Sequence, residues 1–130
     1  MQILLDTHAF IWFVEADSLL PQNLKSNLEN PKNEIFLSMA SIWEMGIKMS
    51  LGKLKINKTI EEIIELAEWN GFQILPILPS HIVRLCQLEF HHRDPFDRML
   101  LAQCLSENLV IASTDSIFDS YGVNRIWEKL

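Results

Sequence analysis

The sequence predicts an α/β fold on a mostly parallel sheet, and three observations lead there. Ile3-Leu4-Leu5 is a short apolar run that stops directly at Asp6, the pattern of a central strand buried on both faces. Leu109-Val110-Ile111-Ala112-Ser113 repeats the pattern late in the chain and runs into Thr114-Asp115. Between the two, short strand-like runs alternate with helical segments, which favours βαβ units around a parallel sheet.

The elements follow in order. His8 to Val14 reads as a helix, so Asp6 falls where a central strand ends and a helix begins. After the polar break Glu15-Ala16-Asp17-Ser18, a second helix opens with Pro21 near its first turn, where a missing N–H costs little. It runs to about Asn30 and is stopped by Pro31-Lys32-Asn33; Glu34 to Leu37 is a short strand. Ser38 is an N-cap for a third helix, Met39 to Ser50, which ends before Gly52. Thr59 and Glu62 have capping-box spacing for a fourth helix, closed by Asn70-Gly71. Phe72 to Ile77 is a strand ended by Pro76 and Pro79, and Ser80 is the expected cap of a helix through Leu88. A further helix begins near Pro95 and passes Cys104 and Leu105. Ser116 to Ser120 is a helical turn, and Asn124 to Trp127 a last edge strand. No repeat, low-complexity segment or linker interrupts the pattern, so a single domain over residues 1–130 is expected.

Composition narrows the class. Hydrophobic residues are 48% and charged residues 22%, values of an ordinary globular protein, and no apolar run is long enough to span a bilayer. The start lacks a basic leader region, and Cys86 and Cys104, both among apolar residues, are expected as buried reduced thiols rather than a disulfide framework. A cytoplasmic protein is therefore expected. The net charge of −6 argues against a general nucleic-acid coat but leaves a nuclease open, since a bound metal offsets acids in a pocket.

The acids carry the chemistry. Asp6 and Asp115 each end an apolar strand, and in open α/β sheets ligands bind at that carboxyl edge. Each is also placed to cap the helical turn after it. Asp94 before Pro95 is an N-cap; Asp97, three residues on, is free to point into a pocket. Glu44 lies in a mainly apolar helix and has an alternative in an i,i+4 pair with Lys48. Taken together, Asp6, Glu44, Asp97 and Asp115 read as a carboxylate pocket for Mg²⁺ or Mn²⁺. Among the bases, Lys48, Lys53, Lys55 and Lys58 share one stretch, while Arg93 and Arg98 flank the Asp94/Asp97 pair. Lys48, Arg93 and Arg98 are the candidates for a phosphate-holding rim. The histidines show no zinc spacing and are read as solvated or supporting groups.

At these residues the chain resembles the PIN-domain family, specifically the VapC-like toxin ribonucleases of toxin–antitoxin pairs. The matching pieces are Leu4-Leu5-Asp6-Thr7-His8, Ser41-Ile42-Trp43-Glu44, Asp94-Pro95-Phe96-Asp97-Arg98 and Ser113-Thr114-Asp115, in family order. The resemblance implies a three-layer α/β/α sandwich, Mg²⁺- or Mn²⁺-dependent cleavage of RNA, a homodimer and inhibition by a cognate antitoxin. It carries the catalytic acids onto Asp6, Glu44, Asp97 and Asp115, with Thr7, Ser41, Asp94 and Thr114 supporting. Asp119 is a further acid nearby to which nothing is carried over. Two readings compete. A haloacid-dehalogenase-type phosphotransferase wants a second acid two residues after Asp6, where this chain has His8. A catalytically silent PIN-like binding module is the other.

Overall fold

A computed structural model describes residues 1–127. The strands are β1 (Gln2–Leu5), β2 (Glu34–Ser38), β3 (Gln73–Leu75), β4 (Val110–Ala112) and β5 (Arg125–Ile126). They form one sheet in the order β3-β2-β1-β4-β5, and every pairing is parallel. The helices are α1 (Thr7–Val14), α2 (Gln22–Glu29), α3 (Met39–Ser50), α4 (Ile60–Trp69), α5 (Pro79–Gln87) and α6 (Pro95–Glu107), with a 3₁₀ turn over Ser116–Tyr121.

Alternation along the central strand explains the layering. Successive side chains of a strand point to opposite faces. Ile3 and Leu5 join Ile35 and Leu37 in a core built with Phe10 of α1, Leu24 of α2, Met45 of α3 and Ile63 of α4. Leu4 faces the other way, into a core with Ile111, Phe118 and the Met99–Leu101 stretch of α6. The sheet is thus covered on both faces, which is why its central strand is apolar throughout. The three-layer expectation holds.

Most boundaries fall where the sequence puts them. Ser38 accepts from the Ala40 N–H at 3.0 Å, and the Thr59/Glu62 capping box closes in both directions. The start of α5 is a correction. Its N-cap is Leu78, which offers no side-chain acceptor, so Ser80 lies inside the first turn, and His81 at the third helical position reaches back, its Nδ1 accepting from the Leu78 N–H at 3.0 Å. The third strand is also shorter than Phe72–Ile77. Cys104 is buried and its thiol is pushed up to about 12 by that burial, but Cys86 is exposed on α5. Among the described residues no helix is long and apolar enough to cross a membrane.

Candidate metal centre

The strand order creates the site before any side chain is considered. The chain leaves β1 toward β2 and β3 on one side, and β4 and β5 lie on the other. The connections diverge at the carboxyl ends of β1 and β4, opening the crevice that such sheets use for ligands. Register brings Leu5 beside Ala112, and the Asp6 N–H donates to the Ala112 carbonyl at 3.1 Å. Asp6 and the Ser113–Asp115 segment are therefore neighbours although more than a hundred residues separate them in sequence.

Asp6 does both things its position allows. Its Oδ1 accepts from the Ala9 N–H at 2.7 Å, capping α1, while the carboxyl stays buried at the crevice. Burial raises its pKa; hydrogen bonds from Ser113 and the Ala9 amide and the charge of His8 oppose this, and Asp115 adds to it. Asp115 likewise caps the 3₁₀ turn, Oδ1 accepting from the Ile117 N–H at 3.0 Å.

From α3, Ser41 and Glu44 face the start of α1. The Thr7 hydroxyl donates to Glu44 Oε1 at 2.8 Å and lies 3.0 Å from Ser41 Oγ. Glu44 is only 4% exposed, so the pair with Lys48 is no ordinary surface pair. Lys48 Nζ stands 2.6 Å from Glu44 Oε2, and its pKa is raised first by that hydrogen bond, with the charges of Glu44, Asp94 and Asp97 behind it. The i,i+4 pair with Lys48 forms, with the Glu44 carboxylate buried rather than on the surface.

From α6, the two acids divide their tasks. Asp94 Oδ1 accepts from the Phe96 and Asp97 amides at 2.8 and 3.1 Å. Asp97 turns toward the other acids and is pushed up to about 7, chiefly by burial and by the charge of Asp94. His92 opposes the shift, and Asp6 and Glu44 add to it. All four proposed acids thus share one electrostatic field.

His92 ties that field together. Its Nδ1 accepts from the Asp94 N–H at 3.2 Å, leaving Nε2 as the donor. Nε2 lies 3.0 Å from Asp97 Oδ2 and 3.1 Å from Asp115 Oδ2. One atom from each of His92, Asp97 and Asp115 falls within 4.8 Å of the others, a spacing that a cation can bridge on the two carboxylates, with His92 Nε2 a ligand only in the other tautomer. Asp6 and Glu44 lie outside that tight group. The donor set is rich in carboxylate oxygen, and the charges of Asp94, Asp6 and Glu44 add to the burial that raises the Asp97 pKa. Both fit a hard divalent cation.

Two expectations are corrected. Arg98 is no rim residue. It is 6% exposed, its Nη1 donates to the carbonyls of Glu89 and His92, and its Nη2 to those of Leu85 and Leu88. Thr114 is exposed and makes no side-chain hydrogen bond among the described residues; buried Ser113 takes the supporting role, bonding Asp6 and accepting from the Asp115 N–H at 3.0 Å. Of the lysine run, Lys48 reaches the acids, Lys58 lies beside Glu62, and Lys53 and Lys55 are exposed without an ion pair among the described residues. Arg93 is exposed, as a rim residue must be. Asp119 is held by Arg125, with two nitrogen–oxygen contacts of 3.0 Å.

An all-parallel α/β sheet with carboxylates converging at its switch point defines a class of acidic-site α/β proteins. Comparison of sequences narrows it. The PIN domain model matches residues 3–124, and the chain belongs to that family. No curated protein matches. Solved structures share the fold. VapBC2 from Rickettsia felis, bound to a promoter DNA fragment, matches with a TM-score of 0.73 at 14% identity, covering 98% of this chain and 100% of that one. VapBC-1 from nontypeable Haemophilus influenzae gives 0.72 at 17% identity, covering 97% of each chain. FitAcB from Neisseria gonorrhoeae gives 0.61 at 21% identity, covering 95% and 96%.

Proposed function

We propose that the protein is a Mg²⁺- or Mn²⁺-dependent endoribonuclease, the toxin of a toxin–antitoxin pair. The observation that carries this reading is the meeting of Asp97 and Asp115 around His92, with Asp6 and Glu44 in the same field, in a PIN domain. Asp6, Asp97, Asp115 and Glu44 would hold the metal. A bound divalent cation supplies an activated water and offsets charge at the phosphorus.

The chain's own groups do the positioning. The Ala9 amide and Ser113 hydroxyl fix Asp6. Thr7 and Lys48 hold Glu44 from two sides. Asp94 keeps the first turn of α6 in place, so that Asp97 is presented at a constant angle. The Lys48 ammonium and the exposed Arg93 guanidinium are the cations offered to RNA phosphates. No side-chain nucleophile is needed.

The likeness to the two VapBC structures along nearly the whole chain supports a small cognate antitoxin as partner. A homodimer, a cytoplasmic location and a single functional domain complete the proposal. The test is cleavage of a mixed RNA pool with Mg²⁺ or Mn²⁺. Cleavage is expected from the unaltered chain and is expected to vanish in Asp6→Asn and Asp97→Asn. Equal cleavage by both variants would place the activity elsewhere. Metal binding without cleavage would leave a binding module.

A further inference from the structure

Asp97 and Asp115 come from different elements, and one imidazole holds them together. His92 Nε2 lies 3.0 Å from Asp97 Oδ2 and 3.1 Å from Asp115 Oδ2. The tautomer that makes these contacts is fixed by the other nitrogen, since Nδ1 accepts from the Asp94 N–H at 3.2 Å. Asp94 is the N-cap of α6, so making His92 a nitrogen ligand would take the acceptor from an amide at the helix start that presents Asp97. The backbone carrying the ring is anchored on both sides. Tyr121 Oη accepts from the His91 and His92 amides, each at 2.8 Å, and donates to the Glu89 carbonyl at 2.7 Å. Arg98 Nη1 donates to the carbonyls of Glu89 and His92. The ring leans on Phe118, 6.0 Å away between centres, and the side chain is 14% exposed.

We propose that His92 is a built-in competitor for the metal, its Nε2–H engaging the same oxygens of Asp97 and Asp115 that a divalent cation would take. The proposal rests on the metal-dependent reading and adds how access to the acids is controlled. A hydrogen shared by two carboxylate oxygens lies roughly 2 Å from each, and Mg²⁺ binds oxygen at about the same length. The two exclude each other, by space and by like partial charge. With the loop anchored, the imidazole yields by rotating about its own side-chain torsions, and the backbone need not move. Occupancy of the acids is then set by the fraction of molecules whose ring is turned away.

The test is the Mn²⁺ affinity of the full chain at one fixed pH, read from the paramagnetic resonance signal of the free ion. His92→Asn keeps an oxygen that can accept from the Asp94 N–H but has no donor long enough to reach the acids. It should bind Mn²⁺ at least about fivefold more tightly than the unaltered chain. His92→Gln carries a donor at the reach of Nε2 and should tighten binding less. In the unaltered chain, the Nε2–H proton resonance of His92, assigned by long-range proton–nitrogen correlation, should leave its hydrogen-bonded position as Mg²⁺ is added. Weaker binding in His92→Asn would make His92 a ligand and overturn the proposal. Unchanged binding, equal tightening in His92→Gln, or an Nε2–H resonance that stays in place at saturating Mg²⁺ would overturn it too. If Mn²⁺ binds none of these chains, or binds Asp97→Asn as well as the unaltered one, the metal reading falls and the competitor with it.

Discussion

Asp97 is the residue on which the site's electrostatics turn. Its carboxyl stands at about 7 against an ordinary 3.8, because burial and neighbouring acids disfavour its charge. Folding therefore favours its protonated form, so its contribution to stability is full below about pH 4 and is lost as pH rises to about 7. The metal-free protein should lose melting temperature across that window, and Asp97→Asn should flatten the loss. Divalent metal needs the ionised carboxylate, so stabilisation by Mn²⁺ should weaken as pH falls below about 7 and be lost in Asp97→Asn, in a melting series at several pH values. Arg98 gives a contrasting prediction. Arg98→Ala leaves the part-buried carbonyls of Leu85, Leu88, Glu89 and His92 without their donor, and should cost roughly 1–3 kcal/mol in denaturant unfolding, while Arg93→Ala stays within about 0.5 kcal/mol. Asp6, Asp97 and Asp115 were legible because each follows a strand or a proline-marked helix start. His92, Ser113 and Arg98 were not, because what each touches is contributed by distant segments. Charge alone said surface for Arg98, but a guanidinium has five donors and a tight loop has spare carbonyls.

At the scale of elements, the first turn of α6 is where stability and chemistry meet. Asp94→Asn keeps a side-chain oxygen for the Phe96 and Asp97 amides, whereas Asp94→Ala removes it. The alanine variant should lose about 1 kcal/mol of stability and the asparagine variant little. Both relieve part of the charge on Asp97, so both should lower the pH at which Mn²⁺ stabilisation fades. That separates the cap from the field. Thr59→Ala is the control, with a similar stability cost from a capping box remote in function and no change in metal response. Caps at Ser38, Thr59 and Asp94 were readable because they depend on residues within three or four positions. The start of α5 was misread because the helix opens at Pro79, ahead of Ser80, and its first amide is met by His81, a buried side chain 2.9 Å from Glu107 of α6, in a role that Glu or Gln usually fills.

Over the whole molecule, the sheet order does the assembling. The alternation of short apolar strands with helices was enough to read a parallel sheet; the order β3-β2-β1-β4-β5 is a matter of packing that no local pattern carries. Leu5 stands at its centre, fully buried, one residue before Asp6. Leu5→Ala should cost about 2–5 kcal/mol and loosen metal binding as well, while Trp69→Ala, at a side chain 89% exposed, should change neither. Strand β4 enters between β1 and β5, and Asp115 follows it. Because Asp115 meets Asp97 only once β4 has docked against β1, a nascent chain that has not yet released β4 from the ribosome keeps these two acids apart.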